Sequence, residues 1–354
     1  MHYTSRIIVA CFVALLQGIA IDDARASETD QFTLPSPPLD DLGRDLGAKV
    51  LEIIGAEAAK LNLRIDETIA GNPGGPPPAL NEREFVTGIY EQVGVGVPES
   101  TLERAIRYGE FPGRNVRFQT GYSESIYAWV FSPVPLALMP AASSPTVRLY
   151  GIDLGTDKIG HLFQQGYEYF NLYESARARG ADETAADEAA VKYGVLTESA
   201  LYGVMLTGVY SNGDLAANYA GFKFYRNLFH EIRIGEQTIA PILQRAGAHW
   251  IINPDRDNAD VLKPYVTEHL NEAYNPSKYI FNVDRIRAHV RERCASWVKQ
   301  VPDFDEAHYR AHLEQTKTWF GEPYGWDLPQ ANAANLLLCF GPSGTSPDHD
   351  PAGM

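Results

Sequence analysis

The sequence predicts a mainly α protein, folded as a helical bundle-like single domain with a few short strands. Two observations support this fold class. Apolar residues recur at intervals of three and four over long stretches, which is the period of an amphipathic helix, whereas runs of β-branched and aromatic residues are short. The 354 residues show no shift in composition that divides the chain, and this length fits one large domain.

The first helices are predicted from their apolar faces and their starting residues. Residues 41–63 carry apolar side chains at helical intervals. Ser100 and Glu103 form an S-x-x-E capping box, which is typical of the first turn of a helix. Thr184 and Asp187 form a weaker version of this box, so another helix is predicted to begin there.

The helix at this weaker box is predicted to run to about Tyr210. Between Tyr193 and Asn212 it contains a single charged residue, Glu198, and the apolar run is close to the length of a membrane span. Its glycines and the lack of flanking positive clusters favour a buried central helix of the bundle instead. A carboxylate buried in such a helix must be protonated, paired or coordinated.

Further elements are predicted by the same patterns. One helix starts near Ser211, and two more cover residues 283–301 and 305–320. Short strands are predicted at residues 116–130 and 147–152, where β-branched and aromatic residues cluster. Helices therefore account for most of the predicted structure.

The first 26 residues are predicted to be a secretory signal peptide. A short basic start ends at Arg6, an apolar stretch covers residues 7–21, and Ala24-Arg25-Ala26 provides a cleavage site after Ala26. The apolar stretch is shorter than the roughly 20 residues of a membrane span. Cys11 loosely fits a lipidation box, but too few apolar residues precede it. The mature protein is expected to be periplasmic or secreted, with no stable transmembrane anchor.

Four segments are predicted along the chain. Residues 1–26 form the signal peptide, and residues 27–80 comprise an N-terminal helix and a Pro/Gly linker, of which the sequence 72–78 suits neither helix nor strand. Residues 81–340 form the main helical domain. Residues 341–354 are rich in Gly, Pro, Ser and Asp and are predicted to be a disordered tail.

Charge and cysteine content restrict the partners. The formal net charge is −15, and the signal peptide carries as many basic as acidic residues, so cleavage leaves this charge unchanged. Such an acidic chain is not expected to bind nucleic acid or anionic lipid headgroups through a basic face. Cleavage leaves two cysteines, Cys294 and Cys339, and a pair of cysteines in an exported chain is expected to form a disulfide.

Two polar runs inside otherwise apolar sequence contain the candidate site. The first is a D-K-x-x-H run and the second an S-x-x-D-x-x-x-N-x-x-G run. Their polar and glycine residues are Asp157, Lys158, His161, Ser211, Asp214, Asn218 and Gly221. Residues four apart share a helix face, which places Asp157 beside His161 and Asp214 beside Asn218.

The order of these residues resembles the signature of two bacterial envelope families of unsettled function, the VanZ-like membrane proteins and the YfiM-like small lipoproteins. The shared features are the two runs and, between them, a lone glutamate on an apolar helix, here Glu198. They extend over about 65 residues, and Leu162 stands where the families usually have phenylalanine. The resemblance implies an envelope protein with a helical polar core, and it implies no particular reaction.

Two functions remain open for these residues. In the first, the protein is a hydrolase that acts on an envelope lipid or glycan. Its catalytic residues are then His161, Glu198, Asp214 and Lys158, with Asp157, Ser211 and Asn218 as binding residues. Imidazole and carboxylate groups suit acid/base catalysis, and they also suit a divalent zinc, manganese or iron ion held by His161, Glu198 and Asp214. In the second, a non-catalytic structural or binding protein uses the same groups as a hydrogen-bond network.

Each motif also has a purely structural interpretation. Ser211 with Asp214 is equally a capping box in which aspartate replaces glutamate. Asp157 is favoured electrostatically in the first turn of a helix, and Gly221 lets two helices approach closely. His161 is alternatively part of a solvated polar face that includes nearby glutamine and glutamate residues.

Other candidate sites are weaker. His308 and His312 are one helical turn apart but lack the glutamate of a metalloprotease helix, so a solvated face is expected. The sequence contains no G-x-S-x-G elbow, Walker loop or Rossmann fingerprint, which argues against the commonest hydrolases and nucleotide-binding proteins. The 19 tyrosines leave contact with a glycan open.

Overall fold

The computed structural model describes residues 28–75, 78–96, 99–128, 144–200, 203–204 and 208–341. The predicted signal peptide lies outside the described residues, as does the predicted tail beyond Gly341. The chain is mainly α, with short two-stranded sheets between the helices, and this confirms the predicted fold class.

The helices are numbered in chain order. They are α1 (Gly43–Gly71), α2 (Glu82–Val93), α3 (Thr101–Arg107), α4 (Thr156–Phe163), α5 (Gln165–Ala178), α6 (Glu183–Ala200), α7 (Asn212–Arg226), α8 (Val283–Gln300) and α9 (Glu306–Thr316). The predicted helices over residues 41–63, 283–301 and 305–320 therefore exist, and the first extends two turns further than its sequence pattern indicates.

The strands form antiparallel pairs. They are β1 (Thr146–Leu149) with β2 (Ile152–Gly155), β3 (Val209–Tyr210) with β8 (Lys278–Tyr279), β4 (Ile232–Ile234) with β5 (Gln237–Ile239), and β6 (Leu243–Ala246) with β7 (His249–Ile252). The strand predicted over residues 147–152 is in fact part of the β1–β2 hairpin: it covers most of β1, the turn at Tyr150 and Gly151, both with positive φ, and the first residue of β2.

The prediction of a strand over residues 116–130 is wrong for residues 116–128, the part that the structure describes. One bridge joins Phe118 to Thr146, and a 3-10 turn follows at Tyr122–Glu124. β-branched and aromatic residues cluster here because they pack into the core, and propensity alone does not distinguish a strand from a buried irregular segment.

Helix starts agree with two of the predicted capping motifs. Ser100 Oγ accepts from Glu103 N at 3.1 Å, and the Glu103 carboxylate accepts from Ser100 N at 3.3 Å, which completes the capping box of α3. Ser211 caps α7 by accepting from Asp214 N at 3.1 Å. The box predicted from Thr184 is wrong, because Asp182 Oδ1 accepts from Ala185 N at 2.8 Å and caps α6 instead.

The long apolar helix predicted to reach Tyr210 is also wrong. The described part of α6 ends at Ala200, the chain turns at Gly203 and Val204, and Tyr210 lies in β3. Nor is α6 buried on all sides, since Leu196 is 64% exposed. No helix among the described residues is long and apolar enough to cross a membrane.

The central helix is α7. Every residue from 212 to 225 is buried, and α4, α5 and α6 pack around it within the larger apolar core. Gly166 on α5 and Gly221 on α7 bring the two backbones together, because a Cβ on Gly166 would lie 2.7 Å from Gly221 Cα. A Cβ on Gly221 would collide with the carbonyl oxygen of Leu162, so Gly221 permits the close approach that its sequence context predicts.

A second apolar core lies around α8 and the C-terminal segment. Its members include Trp297 and Tyr309, both buried. The predicted disulfide joins Cys294 to Cys339 within this core, with a Cα–Cα distance of 5.2 Å. It connects α8 to the segment that follows α9.

Candidate functional site

The site is built around the ammonium group of Lys158. This residue lies in the first turn of α4, which begins directly after β2, and its side chain has no solvent exposure. Lys158 Nζ lies 2.7 Å from Asp157 Oδ2, 2.6 Å from Asp214 Oδ1 and 2.5 Å from Glu272 Oε1. These four residues form the Lys158 cluster.

Neutral hydroxyl donors also contact the carboxylates of the cluster. Thr29 Oγ1 donates to Asp157 at 2.7 Å, and Tyr127 donates to Glu272 Oε2 at 3.0 Å. Ser211 Oγ lies 3.3 Å from Glu272 Oε1. The cluster therefore joins the N-terminal segment, α4, α7 and the irregular segment that contains Glu272.

Glu198 lies beside this cluster. It is 3% exposed at the end of α6, and its Oε1 accepts from Ser211 N at 2.8 Å. Burial raises the pKa of Glu198 well above its usual range, and the nearby charge of Asp214 raises it further. The pKa of Glu28 is raised in the same way by burial and by Glu272, so burial favours the protonated form of both carboxyl groups.

His161 forms the least buried edge of the site. Its Nε2 lies 3.2 Å from Asp214 Oδ2 and its Nδ1 lies 2.9 Å from Asn218 Oδ1, while 18% of its side chain is exposed. The alternative of a solvated face does not describe its neighbours, because Gln164 donates to the carbonyl of Gly96 and Glu168 accepts from a tyrosine hydroxyl.

Opposing effects set the ionisation of the charged groups. Burial lowers the pKa of Lys158, but Asp157, Asp214 and Glu272 together raise it well above its usual range. Burial raises the pKa of Asp214, and His161 and Lys158 outweigh this effect and lower it. Burial raises the pKa of Glu272 to about 7, although Lys158 acts in the opposite direction. Lys158 and Asp214 are therefore charged at neutral pH.

The predicted site residues differ in how directly they contact Lys158. Asp157, Lys158 and Asp214 belong to the cluster itself. His161 contacts Asp214 directly, and Asn218 holds the other ring nitrogen of His161. Glu198 reaches the cluster through the backbone of Ser211, as described above. One carboxylate oxygen of Asp214 contacts Lys158 Nζ, and the other contacts His161 Nε2. Ser211 therefore caps α7 by accepting from Asp214 N, and the Asp214 carboxylate does not accept from Ser211 N in return.

Sequence reasoning missed two buried carboxylates of the site, Glu272 and Glu28. Both lie outside helices, so neither belongs to a run with helical spacing. Glu272 stands in the segment Asn271-Glu272-Ala273-Tyr274-Asn275, where every residue except Tyr274 is buried. The segment around Glu272 is polar and lacks lysine and arginine, but the sequence of an exposed loop can have the same composition.

The carboxylates of Asp157, Asp214 and Glu272 could hold a metal ion, since one oxygen from each lies within 4.8 Å of the others. The position between them, however, is filled by Lys158 Nζ at 2.5 to 2.7 Å from each. An ion at that position requires the buried lysine side chain to leave. The residues therefore fit an ammonium group better than a metal.

The Lys158 side chain is fully buried, and the side chains of Asp214 and His161 are 10% and 18% exposed. Three clefts between described residues have volumes of about 260, 570 and 700 Å³, and none is lined by Lys158, Asp214 or His161. Comparisons of the chain with family models, curated proteins and solved structures found no match. The resemblance to the VanZ-like and YfiM-like families thus stays a prediction from the motifs.

Proposed function

We propose that the protein is an exported cell-envelope protein in which the Lys158 cluster is a structural polar core and not a catalytic site. One observation carries this proposal. An ammonium group has three N–H donors, and three buried carboxylates lie within hydrogen-bond distance of Lys158 Nζ. Lys158 has no donor left for an anionic substrate group, which is the role that catalysis requires of it.

His161 supports the same conclusion. A general base needs a ring nitrogen within hydrogen-bond reach of the substrate proton. Both ring nitrogens of His161 already have partners, Asp214 on one side and Asn218 on the other. A buried network of this kind fixes the relative positions of its segments, because each lost partner leaves a buried polar group unpaired.

The proposed role of the cluster is to lock α7 against α4 and against the irregular segment that contains Glu272. Asp157 lies in the first turn of α4 and Glu272 outside any helix, and each is held by Lys158 and by a hydroxyl donor. The export of the protein rests on the signal-peptide pattern of residues 1–26.

A hydrolase of an envelope lipid or glycan is the second candidate function. Two features of His161 favour it. The side chain is partly exposed, and an imidazole beside a carboxylate, here that of Asp214, is the pairing used in acid/base catalysis. In this alternative Asn218 releases Nδ1 when the substrate binds. The acid/base pair is then His161 and Asp214, with Glu198 close enough to Asp214 for its pKa to be raised by that charge.

Hydrolysis assays on His161→Gln separate the two functions. Labelled phospholipid vesicles and peptidoglycan are incubated with the mature protein, with His161→Gln and with the control His230→Gln, whose histidine pairs with Glu82 on the surface. The structural role predicts no turnover above background for any of the three, and a lower unfolding free energy for His161→Gln alone. Turnover by the wild type and by His230→Gln, with none by His161→Gln, would establish the hydrolase.

A further inference from the structure

Two histidines on α9 face one another at the protein surface. His308 and His312 are one helical turn apart, and their Nε2 atoms are 2.9 Å apart. The sequence predicts only a solvated face here, because the helix lacks the glutamate of a metalloprotease motif. In the structure a glutamate reaches the pair from another segment.

Glu268 fixes the orientation of the second histidine. Its carboxylate lies 2.6 Å from His312 Nδ1, and the imidazole ring packs against Tyr274 with 4.8 Å between the ring centroids. A carboxylate accepts from Nδ1–H, so the Nε2 atom of neutral His312 carries the lone pair and faces His308. Histidines that ligate metals commonly have their other ring nitrogen held by a carboxylate in this way.

We propose that His308 and His312 form a binding site for one divalent transition-metal ion, with Glu268 as a positioning residue. Imidazole nitrogens lie about 2.0–2.1 Å from such ions. At these bond lengths, nitrogens 2.9 Å apart subtend an angle of roughly 90° at the ion, which suits the tetragonal geometry of Cu²⁺ or Ni²⁺ better than the tetrahedral geometry of Zn²⁺. The affinity order of nitrogen ligands favours Cu²⁺ as well.

The site adjoins a cleft of about 260 Å³. Glu268 and Tyr274 line this cleft together with the ion pair of Arg148 and Asp153. His308 is exposed and the histidine pair supplies only two ligands, so an ion bound there keeps coordination positions for water or for a ligand in the cleft. The inference is independent of the proposed role of the Lys158 cluster, which uses none of these side chains.

Titration calorimetry with CuCl₂ and NiCl₂ alone tests the proposal on the mature full-length protein purified without a histidine tag. One equivalent of Cu²⁺ is expected to bind. His308→Ala is expected to remove this binding event, and Glu268→Gln to weaken it by about 10- to 100-fold, the usual effect of losing the carboxylate behind a ligating histidine. The matched control is His249→Ala, since His249 is a surface histidine 2.7 Å from Asp66 and contacts no other histidine of the described residues.

Electron paramagnetic resonance of the Cu²⁺ complex identifies the ligands. Two imidazole nitrogens are expected in the wild type and one or none in His308→Ala, whose exposed position leaves folding intact. The site would be overturned if wild type and His308→Ala bound Cu²⁺ with equal affinity. It would also be overturned if His249→Ala lost as much Cu²⁺ affinity as His308→Ala. An unchanged affinity in Glu268→Gln would overturn the role of Glu268.

Discussion

Two regions hold distant parts of this chain together by different means. The Lys158 cluster joins α4, α7 and the segment of Glu272 through buried ionic contacts, whereas in the core around α8 a covalent bond between Cys294 and Cys339 holds the C-terminal segment. The first region depends on which groups are charged, and therefore on pH. The second depends on apolar burial and on the constraint that the disulfide places on the unfolded chain.

The two regions also differ in the free-energy cost of burying their groups. A buried ion pair is weak evidence of stability, because desolvation offsets much of its attraction, yet removal of one partner is costly. The Lys158 cluster is therefore expected to define one arrangement of its segments, while the disulfide-linked core tolerates changes in ionisation.

Lys158→Met is expected to give the largest loss of stability. It leaves Asp157, Asp214 and Glu272 buried without their cation, and breaking a buried ionic contact in this way lowers the free energy of unfolding by about 3–5 kcal/mol. Urea denaturation followed by circular dichroism measures the change. The matched control is Lys192→Met.

Lys192 is largely exposed and pairs with Glu188 at 2.9 Å on α6. Its loss should change the free energy of unfolding by less than about 0.5 kcal/mol, because exposed pairs of this kind contribute little. Similar values for the two variants would show that the Lys158 cluster is not held by its charge.

The double variant Cys294→Ala/Cys339→Ala is expected to be less stable by about 2–4 kcal/mol, because the bond closes a separation of 45 residues in the unfolded chain. A reducing agent should shift the urea midpoint of the wild type toward that of the variant and leave the variant unchanged. The pH dependence of stability should be the same in both proteins. A changed pH profile would mean that the two regions are coupled.

Stability is expected to fall as pH rises from about 5 to 8. Burial raises the pKa of Glu272 from 4.5 to about 7, so the folded protein retains a proton that the unfolded chain releases. The stabilisation is complete below the unfolded pKa and is lost as pH rises through the folded pKa, a change of up to about 3 kcal/mol. Glu28 and Glu198 act in the same direction.

Glu272→Gln should flatten this profile, because glutamine does not titrate. Urea midpoints at several pH values between 5 and 8 measure the slope in both proteins. The control is Glu188→Gln, which alters the exposed pair on α6 and should keep the slope of the wild type. An equal slope in wild type and Glu272→Gln would exclude Glu272 as a source of the pH dependence.

Glu198→Gln is expected to have the smallest effect, below about 1 kcal/mol. Burial raises the pKa of Glu198 and so favours its uncharged form, and glutamine is also uncharged and offers the same oxygen to Ser211 N. Glu198→Leu removes that acceptor and should cost about 1–3 kcal/mol. Metal analysis beside the wild type completes the test, since bound metal that disappears in Glu198→Gln would make this residue a ligand.

The sequence predicted the local parts of this structure better than its long-range parts. Helical period and capping residues identified α3, α7, α8 and α9, because those signals lie within one or two turns of the chain. The end of α6 was missed, since apolar content is equally compatible with a helix, a turn and the short strand β3. The hairpins between residues 232 and 252 gave no strong alternating pattern.

The same limit applies to the site. Asp157, Lys158, His161, Asp214 and Asn218 share two helices, so their spacing indicated them. Glu272 and Glu28 enter through tertiary contacts that have no fixed spacing in the sequence, and without Glu272 the role of Lys158 as the central cation was not apparent. Helical spacing could identify candidate ligands, but it could not identify what lies between them.

The buried position of α7 determines when its backbone amides become accessible to solvent. A helix whose residues 212 to 225 are buried on every side cannot be exposed by fraying or by displacing one neighbour. Its amide hydrogens are expected to exchange with solvent only when the whole domain unfolds, at a rate set by global stability. The amides of α6, which presents Leu196 and Lys192 to solvent, should exchange through smaller openings. The helix that carries Asp214 and Asn218 is thus expected to be the last to become accessible to water.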